Sequence, residues 1–169
     1  QYIEGAIQKK GIQKLKEKTI ERYTEVKWKP FQQEIIDLCS QEPDDRKVYW
    51  YYEEDGNVGK SFLTKYLIAK ENAILFTGGK VQDMLYAYNS ERVIIFDLPR
   101  TYADNLDHIY TWIENFKNGQ YLSTKYNSEM RFFETPHIIV FSNFRPDESM
   151  LSREMKLKKS ALLSLSNIS

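Results

Sequence analysis

Cysteine is nearly absent from this sequence, which has only Cys39 among 169 residues. One cysteine cannot form a disulfide within the chain, so a disulfide-stapled scaffold is excluded. Cys39 falls on the apolar side of a predicted helix, where a small buried hydrophobic residue is a simpler interpretation than a ligand or a nucleophile. The sequence also lacks a signal-peptide pattern and any apolar run long enough to cross a bilayer. We therefore expect an intracellular protein in a reducing environment, with no membrane partner.

An excess of either charge is also lacking, because 24 Lys and Arg side chains balance 24 Asp and Glu. A nucleic-acid partner is therefore not indicated by net charge and would have to be held by a local basic patch. Histidine is scarce too, and we interpret both His108 and His137 as structural. Apolar residues at 41% and aromatic residues at 14% suffice for one substantial core plus an appendage, and they exclude disorder of the whole chain.

The first 44 residues are predicted to form a small helical segment ahead of the main domain. Five apolar residues are spaced among lysines, namely Ile3, Ile7, Ile12, Leu15 and Ile20. Residues 1–28 therefore predict one or two amphipathic helices that are too lightly apolar to fold alone. They form either a linker or a helix packed on its own domain, or else a helix that faces another subunit or DNA. Pro30 opens a firmer helix, which residues 41–45 end.

From Arg46 onward, predicted strands alternate with predicted helices. The strands are predicted at residues 47–52, 73–77, 92–97 and 136–143, the helices at 60–69, 81–88 and 106–116, and a hairpin within 117–134. This alternation predicts an α/β fold with a central parallel sheet flanked by helices. We divide the chain into a helical segment at 1–44, the main domain at 45–155 and a polar C-terminal tail at 156–169.

The stretch from Glu53 to Ser61 lies between an apolar run and a helical pattern. A strand, a glycine-bearing turn and a helix opened by Gly-Lys-Ser are the layout of a phosphate-binding loop, in which backbone N–H groups and the helix N-terminus hold a polyphosphate. We expect the Lys60 ammonium to reach the β- and γ-phosphates of ATP, and the Ser61 hydroxyl to hold Mg²⁺. The predicted nucleotide contacts are Gly56, Asn57, Val58, Gly59, Lys60, Ser61 and Phe62.

This loop departs from the usual pattern G-x-x-x-x-G-K-[ST], because Glu54 stands where that pattern has its first glycine. Gly56 is then expected to supply the flexible backbone. The departure leaves the rate of ATP turnover open.

Two polar residues end predicted strands and are expected to meet the loop. Asp97 follows Val-Ile-Ile-Phe, and Asn143 follows Ile-Ile-Val-Phe-Ser. Ligands of an open parallel sheet bind at the carboxyl ends of its strands, so these two residues and the loop should converge. We expect Asp97 to hold Mg²⁺ opposite Ser61, as a Walker B acid does, and Asn143 to contact the γ-phosphate and the attacking water. The alternative for Asn143 is a plain turn residue, and the catalytic base stays open because Phe96 and Leu98 flank Asp97.

Several strings occur in the order of helicase motifs A, B, B′ and C. They are Trp28–Gln33, Gly56–Ser61, Ile94–Arg100, Phe116–Gly119 with Lys125–Tyr126, and Ile139–Asn143. Through them, residues 29 to about 153 resemble the superfamily 3 helicase domain of the replication-associated proteins of small circular single-stranded DNA viruses, the circovirus, cyclovirus and nanovirus group. Such proteins carry a rolling-circle nuclease with a two-histidine metal motif, which this sequence lacks. The resemblance therefore implies a helicase-domain fragment.

The resemblance implies an AAA+-like P-loop NTPase that uses ATP and Mg²⁺. It further implies a homo-oligomeric ring, a hexamer in this family, with ATP between subunits and single-stranded DNA in the channel. The channel hairpin would be residues 117–131, with five predicted DNA contacts: Lys117, Tyr121, Lys125, Tyr126 and Arg131. Cations would track phosphates while aromatic rings stack on bases; the alternative is an ordinary solvated hairpin. By resemblance alone, the site of action is the host cell nucleus.

An arginine supplied by a neighbouring subunit is also implied, shortly after motif C. Arg145 and Arg153 are the candidates. Arg145 is expected to turn with the preceding strand, whereas Arg153 has the reach to face another subunit, so we select Arg153 as the catalytic arginine.

Three functions are compatible with these motifs. The leading one is an ATP-driven DNA translocase. The alternative is a nucleotide-gated assembly or DNA-binding module with slow hydrolysis, which Glu54 and the missing second acid favour. A small-molecule or nucleoside kinase is third, because neither a basic lid nor an acceptor pocket is evident.

Overall fold

The computed structural model describes residues 2–54, 59–126, 128–150 and 156–161. The helices are α1 (Tyr2–Arg22), α2 (Pro30–Cys39), α3 (Lys60–Glu71), α4 (Val81–Ala87) and α5 (Leu106–Lys117). The strands are β1 (Lys47–Tyr52), β2 (Ile74–Phe76), β3 (Val93–Leu98), β4 (Gln120–Ser123), β5 (Glu129–Phe132), β6 (His137–Ser142) and β7 (Lys156–Ala161).

Within the described residues, five strands form a parallel sheet in the order β2-β3-β6-β1-β7, and β4 and β5 form a separate antiparallel hairpin. The predicted α/β class with a central parallel sheet is therefore confirmed. The order places β6 between β3 and β1, so the strands that end near Asp97, Asn143 and the phosphate loop are adjacent. The carboxyl ends of these strands lie side by side along one border of the sheet, across the strand direction. We call this border the site edge.

The apolar runs of the central strands are buried on both faces of the sheet. In β3, Ile94 and Phe96 face the core under α4, α5 and the hairpin, whereas Val93 and Ile95 face the core under α2 and α3. Side chains alternate between faces along a strand, so an unbroken apolar run suits a strand covered on both sides. Helix α2 shares the second core through Phe31.

The end of α1 and the chain after it are attached to α3 by an aromatic cluster, which consists of Tyr23, Trp28, Phe62 and Tyr66. The ring centroids of Tyr23 and Phe62 are 4.5 Å apart, and those of Trp28 and Tyr66 are 4.8 Å apart. Four apolar side chains earlier in α1 are exposed, namely Ile3, Ile7, Ile12 and Leu15. The aromatic cluster therefore supplies part of the partner surface that this segment was expected to need.

Strand β7 was not predicted, because residues 156–161 read Lys-Leu-Lys-Lys-Ser-Ala and lack an apolar run. It pairs in parallel with β1 at the edge of the sheet. An edge strand is held by backbone hydrogen bonds, and lysine is common at edges because it discourages further pairing. The tail that we placed from residue 156 therefore begins with a strand, while the domain limits at 44 and 155 stay predictions.

Across the described residues, every helix is too short or too polar to cross a bilayer. His137 is buried at the start of β6, with its Nε2 atom 2.9 Å from the carbonyl oxygen of Gln41, and burial lowers its pKa. His108 is exposed on α5.

Candidate active site

The structure describes the phosphate loop up to Glu54 and again from Gly59 onward. Gly59 has φ +100°, a left-handed conformation that glycine adopts without strain, and α3 begins at the next residue. Ser61 lies exposed in the first turn of α3. The predicted contacts Gly56, Asn57 and Val58 lie outside the described residues and stay predictions.

Phe62, the last of the predicted nucleotide contacts, has its ring in the aromatic cluster against Tyr23 and Trp28. The ring therefore anchors α1 to α3. Its backbone N–H belongs to the first turn of α3, where N–H groups lack an acceptor within the helix and suit an anion. A nucleotide contact by Phe62 is thus expected only from the backbone, and it stays a prediction.

Lys60 and Asn143 are in direct contact at the site edge. The Lys60 ammonium donates a hydrogen bond of 3.2 Å to Oδ1 of Asn143. Burial lowers the pKa of Lys60, and the negative charges of Asp97 and Glu53 act in the opposite direction. The structure thus brings together Lys60, Asn143 and Asp97, three residues that are far apart in the sequence.

The turn that carries Asn143 is held by its neighbour Ser142. The Ser142 hydroxyl accepts a 2.7 Å hydrogen bond from the indole N–H of Trp50 and donates one of 2.6 Å to the carbonyl of Phe144. The Ser142 carbonyl also accepts the backbone N–H of Glu53 at 3.0 Å. These three bonds fix the end of β6 relative to β1, so the Asn143 amide is presented to Lys60 by a rigid support.

Glu53 is a second carboxylate at the site edge that the sequence analysis did not assign. It follows β1 directly, is 2% exposed, and its charge acts on Lys60. Because β6 lies between β3 and β1, Asn143 stands between Asp97 and Glu53 along the edge. The rule that selected Asp97 and Asn143, a polar residue at the end of a buried strand, also selects Glu53.

Arginines of motif B and of the chain after motif C lie close to this edge. The Arg100 guanidinium donates a 3.0 Å hydrogen bond to the carbonyl of Glu54, which ties motif B to the entrance of the phosphate loop. The Arg145 guanidinium lies over the ring of Tyr52 at 5.7 Å. Arg145 therefore faces its own chain. Arg153 lies outside the described residues, so its role across subunits stays a prediction.

The available donors fit a magnesium–nucleotide complex better than a metal cage. Among the residues whose positions are described, no group of three or more His, Cys, Asp or Glu side chains could hold a metal ion. Mg²⁺ is usually held by one or two carboxylates together with substrate phosphates. Asp97 is half-buried and Ser61 is exposed, so a carboxylate and a hydroxyl of the right chemistry are present for such a set, and their role as magnesium ligands stays a prediction.

Two of the predicted DNA contacts are wrong, because Lys117 at the end of α5 and Tyr121 in β4 are both buried. The Lys117 side chain is 5% exposed, and its ammonium donates to the carbonyls of Asp44 at 2.8 Å and Pro136 at 3.0 Å. Tyr121 is 7% exposed, and its hydroxyl donates to the carbonyl of Leu85. Burial removes both side chains from any surface that a DNA strand could reach.

The other three predicted DNA contacts are accessible to different degrees. Tyr126 is 78% exposed, whereas the Lys125 ammonium forms an ion pair with Asp83. Arg131 is half-buried and donates a 2.8 Å hydrogen bond to the carbonyl of Tyr88. DNA binding through these residues stays a prediction, with Lys125 and Tyr126 the better placed of the three.

Comparison with known proteins identifies the family. The model of the RNA helicase family matches residues 49–144, more than half of the chain. The chain belongs to the RNA helicase family. The match and the relatives described next confirm the resemblance to the superfamily 3 helicase domain of viral replication-associated proteins.

The relatives of this RNA helicase family member are replication proteins. It is 38% identical over 147 residues to Para-Rep C1 of Faba bean necrotic yellows C1 alphasatellite, and the matched region covers 85% of this chain and 52% of the relative. It is 34% identical over 140 residues to the Master replication protein of Faba bean necrotic yellows virus, and the matched region covers 83% of this chain and 48% of the relative. With the Master replication protein of Banana bunchy top virus the identity is 37% over 121 residues, covering 72% and 41%. The chain spans about half the length of these curated relatives or less.

Proposed function

We propose that this chain is an ATP-driven motor that moves on single-stranded DNA and serves viral DNA replication. The observation that carries the proposal is the contact between Lys60 and Asn143, beside Asp97, at the edge where a parallel sheet binds its ligands. A helicase-family match and relatives named as replication proteins support the same function. A homo-oligomeric ring of six subunits, as the family implies, and action in the host cell nucleus are part of the proposal.

The residues at this edge divide the work of phosphoryl transfer. The Lys60 ammonium neutralises charge on the transferred phosphoryl group, and Asn143 orients the γ-phosphate and the attacking water. Asp97 and Ser61 would hold Mg²⁺, which would offset negative charge on the phosphates. Glu53, whose charge acts on Lys60, is the candidate for a second acid beside the water. Lys60, Asn143 and Asp97 therefore have separate roles in one reaction, and none of the three can replace another.

Phosphate release with and without single-stranded DNA tests this function. We expect turnover that DNA stimulates, and we expect Lys60→Ala to abolish it, because the lost cation contributes several kcal/mol in such sites, about a hundredfold or more in rate. Near-normal turnover in folded Lys60→Ala protein would contradict the proposal.

A nucleotide-gated assembly module is the second candidate. Two acidic residues favour this candidate, because Glu54 replaces the first loop glycine and Glu53 is buried beside Lys60. The negative charge of each would repel a polyphosphate. Tight ATP binding without turnover, in the presence of DNA, would establish this module in place of the motor.

A further inference from the structure

Gln32 joins the start of α2 to the phosphate loop. Its side chain is buried, at 4% exposure. Its Oε1 atom accepts a 2.9 Å hydrogen bond from the backbone N–H of Lys29, and its Nε2 atom donates one of 3.0 Å to the carbonyl of Gly59. One amide therefore bridges the residue before α2 and the residue before α3.

The Gly59 carbonyl that Gln32 binds is also the first acceptor of α3. It receives the backbone N–H of Leu63 at 3.2 Å. A Cβ atom on Gly59 would lie 2.8 Å from Nε2 of Gln32, closer than such atoms come in proteins, so the two residues fit together without spare room. Holding this carbonyl fixes the peptide that leads directly into Lys60.

Helix α2 is itself firmly attached, so Gln32 acts from a fixed position. Phe31 and Ile35 are fully buried in the same core as Leu63 of α3. A donor on a rigid helix can hold a neighbouring loop, whereas a donor on a mobile segment would follow it.

We propose that Gln32 is a positioning residue of the nucleotide site, which sets the Gly59 peptide and thereby aims Lys60 and the first N–H groups of α3 at the phosphates. The inference rests on the proposed ATPase function. The family match begins at residue 49, so it leaves Gln32 out. The working ATPase unit accordingly extends back to the start of α2.

The test compares Gln32→Ala and Gln32→Glu with Gln33→Ala in the full chain. Glutamate keeps the shape of Gln32 but cannot donate to the Gly59 carbonyl. Gln33 is the matched control, because its side-chain amide donates a 2.8 Å hydrogen bond to Asp37 within its own helix. We expect both Gln32 variants to weaken binding of a fluorescent ATP analogue with Mg²⁺ about tenfold, since the lost bond serves a buried group. Gln33→Ala should bind like the original chain.

A second measurement needs no nucleotide. Amide hydrogen exchange at Leu63 should be faster in Gln32→Ala than in the original chain or in Gln33→Ala, because its acceptor is then held less firmly. Unchanged exchange at Leu63 and unchanged affinity in a folded Gln32 variant would overturn the inference. Failure of both Gln32 variants to fold would also overturn it, because the role would then be structural. If the original chain binds no nucleotide, the proposed function fails, while the exchange result still decides whether Gln32 positions the loop.

Discussion

Lys60 at the start of α3 and Asn143 directly after β6 are in contact, because the lysine ammonium donates a 3.2 Å hydrogen bond to the asparagine amide oxygen. This ammonium is the same one that we expect to bind the γ-phosphate. Asn143 and the phosphate therefore share Lys60, and the identity of the side chain at position 143 should control both binding and turnover.

The two simplest changes at Asn143 should have different effects. Asn143→Ala removes the group that orients the water, so we expect ATP to bind but kcat to fall about a hundredfold or more. Asn143→Asp places a carboxylate on Lys60, which repels the polyphosphate, so we expect affinity for ATP to fall as well. Equilibrium binding and single-turnover rates measure the two effects separately. Normal kcat in Asn143→Ala would return this residue to a plain turn position.

Asp97→Asn should separate nucleotide binding from hydrolysis. The amide keeps the shape of the side chain but loses the charge that suits Mg²⁺. We expect bound nucleotide to be retained and hydrolysis to become insensitive to added Mg²⁺ and at least about tenfold slower. A magnesium titration of ATPase activity measures this, with the exposed Asp104→Asn as control. Equal magnesium responses in the two variants would remove Asp97 from the metal site.

Lys117 should give the folded chain a pH-dependent stability. Burial lowers its pKa from 10.5 to about 8. Between these values the unfolded chain holds the proton and the folded chain does not, so the free energy of unfolding rises as pH increases through this interval. Below it, both states are protonated and the folded state carries the full cost of the buried charge.

Replacing Lys117 by methionine should remove this rise, which we expect to be roughly 1 to 3 kcal/mol between the two pKa values. Urea unfolding at several pH values measures it in both proteins, with the exposed Lys65→Met as control. Single-stranded DNA affinity should stay unchanged in Lys117→Met. A DNA defect without a stability defect would restore Lys117 to the channel surface.

The central strands were predictable because nearly all of their residues are apolar, as burial on both faces of a sheet requires. Residues 47–52 were predicted as a strand and form β1 with the same bounds, and the apolar run before Asp97 forms β3. A run that is apolar on both faces has few alternatives to a covered parallel strand. Asp97 and Asn143 followed from the rule about strand ends, and Lys60 followed from the Gly-Lys-Ser pattern that opens a helix.

Features set by tertiary packing were not predictable in this way. Apolar and polar residues alternate along β4, but this pattern does not indicate which face of the strand packs on α4. The burial of Tyr121 against Leu85 could therefore not be foreseen. Lys117 looked like a surface cation because lysine is almost never buried. Its burial is made tolerable by the carbonyls of Asp44 and Pro136, which accept hydrogen bonds from the ammonium. The contact between Gln32 and Gly59 joins residues 27 positions apart through side-chain geometry alone.

The ion pair between Lys125 and Asp83 should limit DNA binding by the hairpin. Lys125→Ala removes a cation, so we expect weaker binding of single-stranded DNA and a salt dependence lower by about 0.7 in the log–log slope. Asp83→Asn frees the ammonium, so we expect tighter binding and a steeper slope. Fluorescence anisotropy with an oligothymidylate over a range of salt concentrations measures both, with Lys65→Ala as control. Identical slopes in all four proteins would make the hairpin an ordinary solvated one.

Arg153 is proposed to act on the nucleotide of a neighbouring subunit. Arg145 lies over Tyr52 of its own chain, which leaves Arg153 as the candidate after motif C. An arginine supplied by a neighbour stabilises transition-state charge and contributes about a thousandfold or more in rate. ATPase activity per chain should therefore rise with protein concentration, and Arg153→Ala should be inactive although it binds ATP.

Mixing two inactive variants tests this arrangement directly. Lys60→Ala lacks a working loop but keeps Arg153, whereas Arg153→Ala has the reverse defect. At a mixed interface, an intact loop meets an intact arginine, so the mixture should recover part of the activity that each variant lacks alone. Lys60→Ala mixed with the double variant Lys60→Ala/Arg153→Ala is the control, because no interface in it has a working loop. Light scattering must show that the chains assemble together, and absence of rescue in such mixed assemblies would exclude Arg153 as the residue that acts across subunits.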